Sequence, residues 1–112
     1  MAGNRNIAVV ITYNRLNDLR SELHAEASKV VRKTARDIEA GAKSIVPVDT
    51  GNLKNSIQVT EQDDLNATIG THVEYAAYVE YGTHRMAAKP YLTPAAEGAR
   101  PSFEDAMKEL LG

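Results

Sequence analysis

From about Arg15 onward, Leu16, Leu19, Leu23, Ala27, Val30, Thr34, Ile38, Ala42 and Ile45 recur at spacings of three and four, and Pro47 then stops the pattern. That periodicity is the stripe of an amphipathic helix, and a proline ends a helix at or before the preceding residue. The opposite face carries Asp18, Glu22, Glu26, Lys29, Lys33, Arg36 and Lys43, with acids early and bases late, as the helix dipole favours. A helix of about 28 residues within Arg15 to Ser44 would be roughly 42 Å long at 1.5 Å per residue. A compact sphere of this chain's 112 residues is only about 34 Å across. The expectation is therefore a helix that either bends near Gly41 or has part of its stripe covered by another subunit, with the second preferred.

The remaining segments are short. Asn6–Tyr13 alternates as a strand with Ile7, Val9, Ile11 and Tyr13 on one face and Ala8, Val10 and Thr12 on the other. Both faces are mostly apolar, so both are expected to be covered. After the helix, Pro47, Asp49, Thr50 and Gly51 form a structural corner, in which Asp49 can cap the next backbone N–H groups and Gly51 permits a tight turn. Residues 52–55 fit one helical turn. Ser56–Thr60 and Asn66–Thr71 then alternate as a hairpin with one wet face. Tyr75, Tyr78 and Val79 fit one face of a short helix ended by Gly82, although a strand also accommodates them. Thr83–Lys89 is a basic loop. Thr93 and Pro94 read as N-cap and first position of a last helix, with Ala96, Ala99, Phe103, Met107 and Leu110 as its stripe. Pro101 should kink or split that helix, and Ser102 with Asp105 offers a second cap. The expected fold is α+β: a long N-terminal amphipathic helix packed on a small antiparallel sheet, with a kinked C-terminal helix, in a single domain spanning residues 1–112.

Composition removes several functions. No cysteine is present, so disulfides, thiolate metal sites and cysteine nucleophiles are excluded. A net charge of −2 gives no global pull toward nucleic acid or membranes. No apolar run approaches the length of a membrane span or a signal-peptide core. Surface scaling allows about two-thirds of the chain's surface to be buried, enough for one modest core.

Asp49-Thr50-Gly51 is the one tripeptide that suggests chemistry, because aspartic peptidases pair two such carboxylates across a dimer to activate water. Its setting argues otherwise. Pro47 precedes it, Asn52 follows it, and a long helix rather than a strand leads into it. His24, His72 and His84 lack metal-ligand spacing, and no glycine-rich phosphate loop is present. No catalytic, cofactor or metal site is expected. Lys29, Arg32, Lys33, Arg36 and Lys43 on the long helix read first as a solvated face, and second as a contact to a subunit or to nucleic acid. Tyr78, Tyr81, His84, Arg85 and Lys89 are the candidate partner contacts, because loops flanked by aromatics and cations are favoured contact surfaces.

Three stretches together resemble a known family. They are Val46-Pro47-Val48-Asp49-Thr50-Gly51-Asn52-Leu53-Lys54-Asn55-Ser56-Ile57, Glu74-Tyr75-Ala76-Ala77-Tyr78-Val79-Glu80-Tyr81-Gly82-Thr83, and Lys89-Pro90-Tyr91-Leu92-Thr93-Pro94-Ala95. In this order after a long helix, they are similar to the small neck proteins of long-tailed bacteriophages and prophages, akin to minor tail protein Z. Ala77 stands where the family often has Pro, and Tyr91 where Phe is common. The resemblance implies a virion protein that completes the tail or joins head to tail in a ring. It would assemble in the host cytoplasm with other neck and tail proteins, use no catalytic residues, cofactor or small-molecule substrate, and lie close to DNA in the lumen. The runner-up readings are a homodimeric aspartic peptidase and a small non-specific DNA-binding protein.

Overall fold

The computed structural model describes residues 7–12, 21–47, 51–63 and 65–111. The elements in chain order are β1 (Ile7–Thr12), α1 (Ser21–Ile45), α2 (Gly51–Ser56), β2 (Gln58–Gln62), β3 (Asn66–Thr71), α3 (Ala76–Tyr81) and α4 (Leu92–Leu111). The fold is α+β, as expected. The strands form one antiparallel sheet in the order β1-β3-β2, so the N-terminal strand closes on the hairpin's inner partner and leaves β1 and β2 as edges.

Register explains which sheet face is buried. Val9 and Val59 both oppose Ile69, and Ile11 opposes Ala67. Directly opposed residues share a face, so these five side chains point together toward α1 and α4. Ile69, Ala67 and Ile11 are buried there. The other face holds Ala8 and Val10 of β1, Thr68 and Gly70 of β3, and Gln58 and Glu61 of β2. A register shift between Val59 and Glu61 brings Glu61 opposite Thr68. The expectation that both faces of β1 are covered is not met: Val10 is 62% exposed. Its face lies opposite the helices, and among the described residues no element packs over it. Period two alone shows which residues share a face, not whether a second layer exists.

α1 is one uninterrupted helix of 25 residues, about 38 Å long; residues 15–20 of the expected helix lie outside the described residues. Ala27, Val31, Thr34, Ala35, Ile38 and Ala42 are buried along it. Val31 and Ala35, absent from the expected stripe, are fully buried because α1 is wedged between the sheet and α4, which widens its apolar sector. Ile45, which was in the stripe, is 45% exposed at the end of the helix. The anticipated overshoot rested on a spherical shape. The molecule instead has principal extents of 50 × 29 × 23 Å, and α4 runs against α1. The chain thus covers the middle of the α1 stripe by itself, with Leu23 and Val30 half-buried and Ile45 exposed. α1 is continuous through Gly41, and a Cβ there would lie 3.4 Å from the Ala95 Cβ of α4, so this small pair sets a close helix crossing.

α2 tucks Leu53 under the sheet's lower end, and Ile57 follows it into the core; both are fully buried. Burying side chains of this size stabilises by about 1.5–3 kcal/mol each. Ser56 and Thr71 join their hydroxyls where α2 meets β3. α4 continues through Pro101 without being split, so the Ser102–Asp105 arrangement is not used as a second helix start.

Candidate functional site

The corner is only partly in view. Asp49 and Thr50 lie outside the described residues. Pro47 is half-buried just beyond the end of α1, where the Val46 N–H donates to the Ala42 carbonyl at 3.0 Å. Gly51 is exposed and opens α2, and a Cβ added there would meet nothing within 4 Å. No positive φ requires glycine at that position either. Helices before and after the tripeptide contrast with the strand-flanked loops of aspartic peptidases.

The tyrosine segment is built more tightly than its sequence suggests. Ala76, Val79 and Glu80 form the buried face of α3, while Tyr75, Tyr78 and Tyr81 are 36%, 49% and 71% exposed. Val79 therefore does not share the tyrosines' face, contrary to expectation; it faces the core. Gly82 closes the helix with its N–H on the Tyr78 carbonyl at 2.7 Å. Its φ is 77°, and a Cβ there would fall 2.7 Å from the Ala88 nitrogen. This is the one position in the segment where both conformation and space demand glycine.

Beyond Gly82 the chain makes a tight turn. The Thr83 N–H donates to the Met86 carbonyl at 2.8 Å, and the Thr83 hydroxyl accepts the N–H groups of Arg85 and Met86, both at 3.1 Å. His84 and Arg85 are thus held, exposed, at the tip. Lys89 is exposed, and its N–H donates to the Val79 carbonyl at 2.8 Å, tying the loop back to α3. What reads as a flexible loop is a hydrogen-bonded turn that presents His84 and Arg85 beside the tyrosine helix.

Glu80 holds the arrangement together. It is 2% exposed, and its carboxylate accepts the N–H groups of Tyr91 at 3.0 Å, Leu92 at 2.8 Å and Thr93 at 3.0 Å. These are the free N–H groups at the start of α4, which a helix leaves unsatisfied and where its dipole favours negative charge. Burial alone would raise the carboxyl's pKa, but the hydrogen bonds from Tyr91, Thr93 and Leu92 outweigh it and hold Glu80 below the usual carboxylate value. Tyr91, fully buried, donates its hydroxyl to the Ala76 carbonyl at 3.0 Å. Burial, reinforced by the Glu80 charge, raises that phenol well above its ordinary pKa. The last helix therefore starts at Leu92 and is capped by a distant carboxylate, where Thr93 had been expected to cap it. Local sequence could not reveal a cap borrowed from thirteen residues upstream. A glutamate between two apolar-facing positions of a tyrosine-rich helix was the available signal.

The other candidates remain apart. His24 lies on α1, His72 follows β3 and His84 sits on the turn. The His24 Nε2 and Ser28 Oγ, one turn apart on α1, are buried without hydrogen-bond partners. Among the described residues no cluster of three or more His, Asp or Glu is placed to hold a metal, and no helix is long and apolar enough to cross a membrane. A groove of about 330 Å³ between β1, α1 and α4 is lined by residues that include Val9, Val10, Ile11, Ile38, Phe103, Glu97 and Arg100.

The resemblance-bearing stretch at the corner, and the one at α3 up to Gly82, fall inside the region, residues 12–82, that matches the family model of HK97-gp10-like bacteriophage tail components. The chain belongs to the HK97-gp10-like family. It is accordingly a phage tail-related structural protein. The third stretch, residues 89–95, lies beyond the matched region, and the Glu80–α4 clasp is what joins it to the second. No curated protein and no solved structure matches the chain.

Proposed function

We propose that this HK97-gp10-like protein completes the tail or joins head to tail in the phage neck, acting through protein–protein contacts in a ring of identical copies. The observation that carries the reading is the tyrosine surface. Tyr75, Tyr78 and Tyr81 stand exposed on a helix whose other face is locked by Glu80 and Tyr91. A protein gains little for its own fold by presenting aromatic side chains to water. Tyrosines on a firmly held backbone suit a contact surface, because each offers a large amphipathic area with only two side-chain torsions to order on binding. Tyr78 and Tyr81 supply the apolar area, and His84, Arg85 and Lys89 supply a polar, cationic rim. The partners are other neck and tail proteins, met in the host cytoplasm during assembly and retained in the virion. No catalytic residue, cofactor or small-molecule substrate enters this role.

The test is complementation of a phage lacking this gene with a Tyr78→Ser/Tyr81→Ser double variant. Both positions are exposed, so the thermal melt of the variant should match that of the parent chain. Electron microscopy should then show heads and tails accumulating unjoined. Wild-type titres from a folded double variant would overturn the reading. Cleavage of a peptide by the purified chain, lost in Asp49→Asn, would favour the peptidase instead.

A further inference from the structure

We infer that the outer face of α1 in one copy docks on the open sheet face of the next copy, making a head-to-tail contact through Arg32 and Arg36 on one side and Glu61 and Asp63 on the other. The inference rests on the ring reading and names the contact that would close the ring.

The two surfaces point in opposite directions. At 100° per residue, Lys29, Arg32, Lys33 and Arg36 fall within about a 100° sector of α1, diametrically opposite the sector of Ala27, Val31, Ile38 and Ala42 that faces the core. Ala25 and Ala40 share the outer sector and are exposed, so a flat surface can approach the helix closely. Lys29 is paired with Glu26 at 3.2 Å and Lys33 with Asp37 at 2.8 Å. Arg32 and Arg36 carry no ion pair among the described residues.

On the other side of the molecule, the open sheet face carries the exposed Ala8 and Val10 on β1, beside the buried Gly70 of the central strand. Glu61 opposes Thr68 on this face, and the Asp63 N–H bonds to the Asn66 carbonyl at 2.8 Å, which continues the same side of the hairpin. Glu61 and Asp63 are both exposed. Residues two apart on a strand are about 6.8 Å apart, and residues four apart on a helix rise about 6 Å. The two free guanidinium groups and the two carboxylates therefore match in sign and in spacing. Docking would also bury Val10 and turn a two-layer domain into a helix–sheet–helix stack. Because the surfaces differ, the contact is heterologous and makes a ring when its rotation closes. DNA is the poorer occupant: a phosphate backbone laid along α1 would also meet Glu26 and Asp37 on its flank.

The experiment is sedimentation equilibrium of the full chain and of two variants, Arg32→Glu/Arg36→Glu and Glu61→Lys/Asp63→Lys, with folding checked by circular dichroism. The parent chain should self-associate, and less so in 0.5 M salt. Each variant alone should be monomeric, since its two surfaces now carry like charges. An equimolar mixture should regain the parent's mass, since each variant complements the other. If both variants keep the parent's mass, this contact is overturned while the ring reading stands. Failure of the mixture of folded variants to recover also overturns it. If the arginine variant loses only duplex DNA affinity, the helix face serves DNA and the inference falls. A parent chain that is monomeric at every concentration and also in extracted tails would bring down the ring reading itself.

Discussion

Glu80 is the residue whose loss should be felt furthest, because three N–H groups depend on it, those of Tyr91 and Leu92 buried and that of Thr93 partly so. Glu80→Ala would strand these donors at the start of α4, and leaving buried polar groups unpaired costs about 1–3 kcal/mol or more. Glu80→Gln keeps an acceptor oxygen and should cost about 1 kcal/mol, both read by urea unfolding. The pH dependence has a definite sign. The folded carboxyl lies below its unfolded value of 4.5, so its stabilisation is fully present above that pH and is lost as pH falls through the lower folded value. The parent chain should therefore lose stability on the acid side more steeply than Glu80→Gln. An identical acid limb in the two proteins would show that the carboxylate charge is not what holds α4. Glycines offer a second contrast at this scale. Gly82→Ala forces a left-handed residue against the Ala88 backbone and should cost more than about 1 kcal/mol. Gly51→Ala meets open space at a helix start and should be neutral or slightly stabilising. Equal melts for the two would contradict the geometry.

At the scale of elements, α4 carries a local conflict within an otherwise consistent helix. Pro101 lacks the N–H that would bond the Glu97 carbonyl four residues back, and its ring crowds that carbonyl. Since Pro101 is exposed, Pro101→Ala should stabilise the chain by about 1–3 kcal/mol in a thermal melt, with no packing lost. An unchanged or lower melting temperature would mean that the proline's geometry is used elsewhere. How much of the fold was legible follows the same division between local and distant causes. The long helix, the hairpin and the short helix ending at Gly82 are written in period and turn chemistry, which are local. Three features were not legible because they depend on tertiary partners. Val31 and Ala35 are buried only because two layers converge on α1. Val10 is exposed only because the sheet has a single covering layer. α4 begins at Leu92 only because Glu80 reaches it. The candidate site divides likewise. Tyr78, Tyr81, His84, Arg85 and Lys89 were proposed as contacts from composition and all are exposed, whereas the clasp beneath them was hidden in the space between α3 and α4.

For the whole molecule, the separation of a locked interior from a presented surface makes a genetic prediction available. Glu80 and Tyr91 act on folding, and Tyr78 and Tyr81 are proposed to act on partners. In a ring, a subunit that folds and enters the assembly but fails to engage the next protein spoils the sites of its neighbours as well. A subunit that fails to fold never enters. Tyr78→Ser/Tyr81→Ser, expressed beside the parent gene during infection, should therefore depress phage titre in proportion to its share of the pool. Glu80→Ala, destabilised in its interior, should be recessive at the same expression level, because unfolded chains are cleared before assembly. The measurement is titre against the ratio of variant to parent protein, with each protein's folded fraction checked by limited proteolysis. A steep fall, beyond simple dilution, indicates several copies acting as one unit. If the tyrosine variant only dilutes the parent, each copy works alone, and the ring reading gives way to a single-copy contact on the tail.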